Sequence, residues 1–206
     1  MSTEQPSSTG AILYSHDETV AAITSYYELV ARAHAITDRS ELLHPPPEGW
    51  PQLNDPDVVA GFGFSDEALE LIRHIPYFEC SERVQILPDV EPHNYIERDL
   101  LPGVADRGKS IRRGEAEYGE DRTPPHLVLL GFIPPLREYG SDVYLDTKLG
   151  NVIIGNYHCN VQIGLGVESD AIYPEPDDNS YDDLFKDLDS DGEGSCYRIS
   201  TFFAAC

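Results

Sequence analysis

Basic residues are scarce in this chain of 206 residues: 14 Lys and Arg stand against 37 Asp and Glu, a formal net charge of −23. A field of that sign repels a phosphate backbone and anionic headgroups, so neither nucleic-acid binding nor docking on acidic lipid is expected. Long apolar runs are missing as well. The longest spans Leu127 to Ile133 and is closed by Pro134-Pro135, far short of the roughly 20 residues a membrane helix requires. The polar opening Met1 to Gly10 has no basic and then apolar segment of the secretory kind. Cys206 stands last in the chain, so no prenylation box is expected. These absences make a cytoplasmic location the expectation.

Cysteine pairs are also lacking. Cys80, Cys159, Cys196 and Cys206 lie far apart with no C-x-x-C among them, which favours reduced thiols over a disulfide framework. The adjacent His158 and Cys159 would point to opposite faces of a strand and so cannot readily share one metal ion. The remaining histidines, His16, His34, His44, His74, His93 and His126, contain no i, i+4 pair. There is no G-x-S-x-G elbow, no catalytic cysteine signature and no G-x-x-x-x-G-K-[ST] phosphate loop. With 37 carboxylates, no acid pair stands out as catalytic. The expectation is a non-enzymatic protein without a cofactor.

What is present has the composition of a globular chain, 40% apolar and 25% charged. Residues 1–14 read as a disordered leader, and 15–206 as one α+β domain. Ser15-His16-Asp17-Glu18 has the form of a capping box. Behind it Val20, Ile23, Tyr27, Val30 and His34 recur at helical steps, predicting a helix from about Asp17 to Ile36. Leu43 to Pro56 holds five prolines and Trp50 and reads as a crossing loop. Ser65-Asp66-Glu67 opens a second helix with Leu69, Ile72 and Ile75 inward and Pro76 as its stop. Val84 to Leu87 is a short strand candidate. Residues 103–125, with Arg107, Lys109, Arg112 and Arg113 among acids and glycines, read as a mobile surface excursion.

From His126 the pattern becomes β-rich. Strands are expected at Leu127–Phe132, Val143–Asp146 and Val152–Tyr157, with Thr147 to Gly150 as the hairpin turn and Gly150 at positive φ. Val161–Leu165 is a further short candidate. A terminal helix over Arg198 to Cys206 would pack Ile199, Phe202 and Phe203 on the sheet. Helices, an antiparallel meander, then helices again is an α+β order.

Between Glu168 and Glu193 lie eleven acids and only Lys186 as a base. The run is either a solubilising face or a polyanion mimic that docks on a basic surface. Ser180 would cap a short helix there, presenting Asp177, Asp178, Asp182 and Asp183 to a basic protein partner. Asp187, Asp189 and Asp191, followed by Gly192 and Glu193, match the opening of an EF-hand loop. Position 12, however, is Arg198 where a bidentate Glu belongs, so calcium binding there is expected to be weak or absent.

The segment Tyr144-Leu145-Asp146-Thr147-Lys148-Leu149-Gly150-Asn151-Val152 resembles the D-T-x-x-G-x-V strand–turn–strand signature of the SUKH superfamily. Phe64 to Tyr77 is similar to a helix of fungal proteins that carry this hairpin, and Phe202-Phe203 falls where the family places a closing aromatic helix. The early Trp-x-x-hydrophobic helix start is lacking, and 103–125 is an insertion. The resemblance covers about residues 60–206. It implies a single α+β domain, no catalysis, and binding to other proteins, including immunity-type inhibition of a nuclease-like toxin. The rival readings are a small enzyme with a loop-built site and a calcium-responsive protein acting through residues 187–198.

Overall fold

The computed structural model describes residues 14–34, 41–79, 84–97, 124–133, 140–157, 168, 170–171 and 195–206. Its first helix, α1, covers His16–His34. At its start the Ser15 carbonyl accepts from both the amide (3.0 Å) and the hydroxyl (2.6 Å) of Thr19. Ile23, Tyr27 and Val30 are buried as their spacing requires. Of the expected leader only Tyr14 is described, and it packs against the core.

The proline-rich segment, expected as an ordered or semi-ordered crossing loop, carries short regular elements. Strand β1 (Leu42–Leu43) pairs antiparallel with β2 (Tyr77–Phe78). A 3₁₀ turn follows at Pro51–Asn54, then helix α2 at Pro56–Phe62. Proline is a good first helical residue because its missing N–H would be unpaired there anyway. Asp55 caps α2 by accepting from the Asp57 amide at 2.9 Å, and Gly63 closes it in the left-handed region at φ 63°. Trp50 is buried, its indole N–H donating to the Ile75 carbonyl at 2.8 Å.

Helix α3 (Asp66–His74) forms as its sequence demanded. Ser65 Oγ accepts from the Ala68 amide, two acids occupy the first turn and two cationic-type residues the last. Ala68, Leu69, Leu71 and Ile72 face inward, with Ile75 buried just beyond the helix end. Val84 to Leu87, in contrast, is not a strand. Leu87 and Val90 form an isolated bridge around a tight turn that needs φ 59° at Asp89.

The main sheet is antiparallel in the order β3 (Glu91–Pro92), β4 (Leu127–Phe132), β5 (Gly140–Asp146), β6 (Asn151–Tyr157) and β7 (Ser195–Arg198). β5 and β6 pair from Gly140↔Tyr157 to Asp146↔Asn151 across the turn Thr147–Gly150. Gly150 has φ 69°, a conformation that costs a side-chain-bearing residue energy. The β4–β5 register shifts between Leu129 and Gly131. Beside that irregularity the Tyr95 hydroxyl donates to the Leu129 carbonyl and accepts from its amide, both at 3.1 Å. One hydroxyl thus pairs both backbone groups of Leu129.

The expected terminal helix is present, capped by Arg198 and Cys206, and a strand that was not expected precedes it. Ser195–Arg198 is the edge strand β7, and Ile199–Ala205 is helical (α4). One sheet face, with Val128, Leu130, Val143, Leu145, Val152, Ile154 and Tyr197, joins α1, α3 and α4 in the principal core. The other face buries Leu127, Leu129, Tyr144, Ile153 and Cys196, with Leu149 and Ala171 packed on them. The architecture is a single α+β domain with its N- and C-terminal helices against a mainly antiparallel sheet.

The expected excursion at 103–125 falls outside the described residues except at Pro124 and Pro125, where the Pro125 carbonyl accepts from Ser65 N–H at 2.8 Å. The strand candidate Val161–Leu165 lies outside them altogether. No helix among the described residues is long and apolar enough to cross a membrane.

Candidate functional site

Helices α1 and α4 lie side by side, and the seam between them leaves two adjoining hollows. Their common walls are Ala22 and Ser200. Small residues at those two positions keep the side chains from filling the seam. The first hollow, about 430 Å³, is lined by Ser15, Glu18, Thr19, Gly150, Arg198 and Ile199. The second, about 360 Å³, is lined by Ser25, Tyr26, Leu29, Phe203, Ala204 and Cys206. One end of the groove is therefore polar and carries both charges, and the other end is apolar.

The apolar end is fixed from below. Tyr26 donates its hydroxyl to the Ile86 carbonyl, and its ring lies 5.6 Å from that of Phe203, which meets Phe202 edge-on at 5.0 Å. Burial pushes the Tyr26 phenol above its ordinary value, and the Cys206 thiol beside it adds to the shift. Burial also pushes the Cys206 thiol up to about 11, against a lowering hydrogen bond with Tyr26. Both groups are neutral near pH 7. Leu29 stands on the rim and is 48% exposed, the one large hydrophobic side chain so exposed among the described residues.

The polar end depends on the β6–β7 edge. Arg198 Nη1 donates to the Leu149 carbonyl at 3.4 Å. The Arg198 amide donates to Asp170 Oδ1 at 2.9 Å, and Thr201 Oγ1 donates to Asp170 Oδ2 at 2.6 Å. Slight burial opposes ionisation of Asp170, but these two hydrogen bonds and the Arg198 charge outweigh it and hold the carboxyl below its usual range. Asp170 belongs to the acidic run, and here it clamps the first turn of α4.

The hairpin turn carries the D-T-x-x-G residues and shows their roles. The fully buried Asp146 takes the Lys148 amide at 2.6 Å and the Leu149 amide at 2.9 Å on the single oxygen Oδ1. Thr147 Oγ1 donates to the His126 carbonyl at 2.9 Å, and the Gly150 carbonyl accepts from Ile199 at 3.1 Å. The motif is thus accounted for by turn-building and by tethering α4. On the far face, burial and the Asp146 charge push the Cys196 thiol up to about 12, so it is a protonated packing group rather than a thiolate.

The expected partner-binding residues Asp177, Asp178, Asp182 and Asp183 lie outside the described residues. So do the calcium candidates Asp187, Asp189, Asp191 and Glu193, and the pair His158-Cys159. Arg198, the twelfth position of that calcium pattern, is the last residue of β7.

Sequence reasoning passed over two features. The groove is invisible in sequence because its walls come from opposite ends of the chain. A second cluster, His16, Glu70 and His74, brings one potential ligand atom from each residue to within 4.8 Å of the others. Its one local sequence signal is the Glu70–His74 spacing of four on α3, while His16 comes from a distant part of the chain.

No family model, no curated protein and no solved structure matches this chain.

Proposed function

We propose that this chain is a non-enzymatic, cytoplasmic protein-binding domain of SUKH-like type whose partner is a basic, nuclease-like protein. The observation that carries the reading is the apolar end of the α1–α4 groove, with Leu29 exposed on its rim in a chain of net charge −23. An apolar hollow on a strongly acidic protein is complementary to a basic segment that carries a large apolar side chain. In this reading Leu29, Tyr26 and Phe203 receive the anchor. Asp177, Asp178, Asp182 and Asp183 supply the steering field, which accelerates encounter more than it deepens affinity.

The groove's chemistry supports binding over catalysis. Its titratable groups are Glu18 and Arg198 at one end and two neutral groups, Tyr26 and Cys206, at the other. That set offers no nucleophile activated by an adjacent base.

The test is a selection of displayed random peptides on the full chain at physiological salt. Enriched peptides are expected to be net basic, to contain a large apolar residue, and to bind L29E at least tenfold more weakly. Enrichment of neutral or acidic sequences, or binding indifferent to L29E, would overturn the reading.

A further inference from the structure

The start of α1 and the end of α3 bring together two imidazoles and a carboxylate that nothing in the groove or the hairpin uses. His16 and His74 meet edge-on with ring centroids 5.4 Å apart, and Glu70 lies one helical turn before His74. His74 Nδ1 lies 2.9 Å from the Glu70 carbonyl oxygen and 3.4 Å from Glu70 Oε1. His16 Nε2 lies 3.4 Å from that same carbonyl oxygen. We propose that His16, Glu70 and His74 form a binding site for a zinc-class divalent cation that clamps the first turn of α1 to the last turn of α3.

The donor set selects the class of ion. Two imidazole nitrogens and one carboxylate oxygen suit zinc and its borderline neighbours, whereas calcium and magnesium require oxygen-rich shells. His16 has one ring nitrogen held by a carboxylate and the other on the side of the cluster. Its Nδ1 lies 3.0 Å from Asp17 Oδ1, so the Nδ1–H donates to a carboxylate and Nε2 is the nitrogen turned toward Glu70. Carboxylate–histidine–metal relays use this arrangement to fix the tautomer and raise ligand basicity.

Placement and charge agree. His16, Glu70 and His74 have side-chain exposures of 30%, 50% and 22%, so an ion has a solvent path and a fourth position open to water. Ligands on a zinc tetrahedron stand roughly 3.3 Å apart given bond lengths near 2 Å, and the three ligand atoms, already within 4.8 Å of one another, need only small side-chain adjustments to reach it. Asp17 and Glu18 in the first turn of α1, in a chain of net charge −23, offset the positive end of the α1 dipole. Residues 16 and 70 are 54 positions apart, so the ion would join two elements that no disulfide among the described residues links.

The experiment titrates the full chain with zinc chloride under reducing conditions, by calorimetry, with cobalt(II) absorption as a second readout. One site per chain is expected, with visible cobalt bands of tetrahedral type and no thiolate charge-transfer band. H16Q, H74Q and E70Q should each weaken that site at least tenfold. Zinc should raise the melting temperature of the wild type and leave that of the H16Q/H74Q chain unmoved, with circular dichroism reporting that the variant is folded. Zinc bound equally by the folded H16Q/H74Q chain, or a cobalt spectrum of thiolate type, would overturn the proposal. Calcium or magnesium binding at the same residues in preference to zinc would do so too.

Discussion

Removal of the Asp146 carboxylate should unfasten the hairpin from its turn outward. The side chain is wholly buried, and its Oδ1 alone holds the amides of Lys148 and Leu149 at 2.6 and 2.9 Å. Hydrogen bonds to a charged acceptor contribute about 1.5–3 kcal/mol each, less whatever the freed amides regain from water. Lys148 is exposed and Leu149 half-buried, so part of that loss is recovered, and D146A should cost about 3 kcal/mol. For a chain of this size, that lowers the melting temperature by roughly 6–12 °C. D146N keeps an oxygen in the place of Oδ1 but gives up the charge and puts an amide group where Oδ2 faces His126 Nε2 at 4.0 Å, so its loss should be about 1 kcal/mol. Urea unfolding followed by the fluorescence of Trp50, the sole tryptophan and remote from the turn in sequence, measures both. Amide exchange at Lys148 and Leu149 localises the effect. A D146A chain within about 0.5 kcal/mol of wild type, the ordinary range of a surface change, would refute the role assigned to this carboxylate. So would unaccelerated exchange at those two amides.

Gly150, at φ 69°, should tolerate asparagine better than valine: G150V is expected to cost about 1–3 kcal/mol and G150N markedly less, as read by the same urea midpoints. Gly131 is tighter still, because an added Cβ would lie 2.9 Å from the Glu91 carbonyl oxygen and 2.7 Å from Ile86 and Val90; G131A should therefore unfold at lower urea than wild type. Asp170 has a native carboxyl value lowered by its hydrogen bonds to Thr201 and Arg198, so its contribution is present above the unfolded value and lost as pH falls through the native one. D170N should accordingly be less stable than wild type at neutral pH, with the gap shrinking in acid; a gap that is constant or grows in acid would contradict that linkage.

How far the fold can be read in the sequence depends on how local each signal is. Ser65 with Asp66 and Glu67, and the alternation around Thr147 to Gly150, are complete within a few residues, and both elements formed where expected. Pro56 misled because proline in a cluster reads as a breaker, although Asp55 before it is a cap and the ring suits the first helical turn. Ser195–Arg198 is a strand only because β6 offers it an edge, a nonlocal cause that a four-residue segment cannot announce. Val84 to Leu87 had strand composition, but among the described residues its one ladder partner is Val90, bridged to Leu87. The site was less legible than the fold. The groove needs α1 beside α4, and the His16–Glu70–His74 cluster needs α1 beside α3. Only the charge imbalance, a global property, was readable from composition.

The central claim, a groove that receives a basic partner steered by the acidic run, is tested most directly by association kinetics. The tightest peptide selected on the wild-type chain would be mixed by stopped flow with wild type and with a chain in which Asp177, Asp178, Asp182 and Asp183 are all lysine, at low salt and at about 0.15 M, where the Debye length is about 8 Å. The wild-type on-rate should fall steeply with salt, and the fourfold reversal should lower it roughly tenfold or more at low salt with the fold intact by circular dichroism. An on-rate unchanged by the reversal and indifferent to salt would contradict the claim and leave the acidic run as a solubilising face.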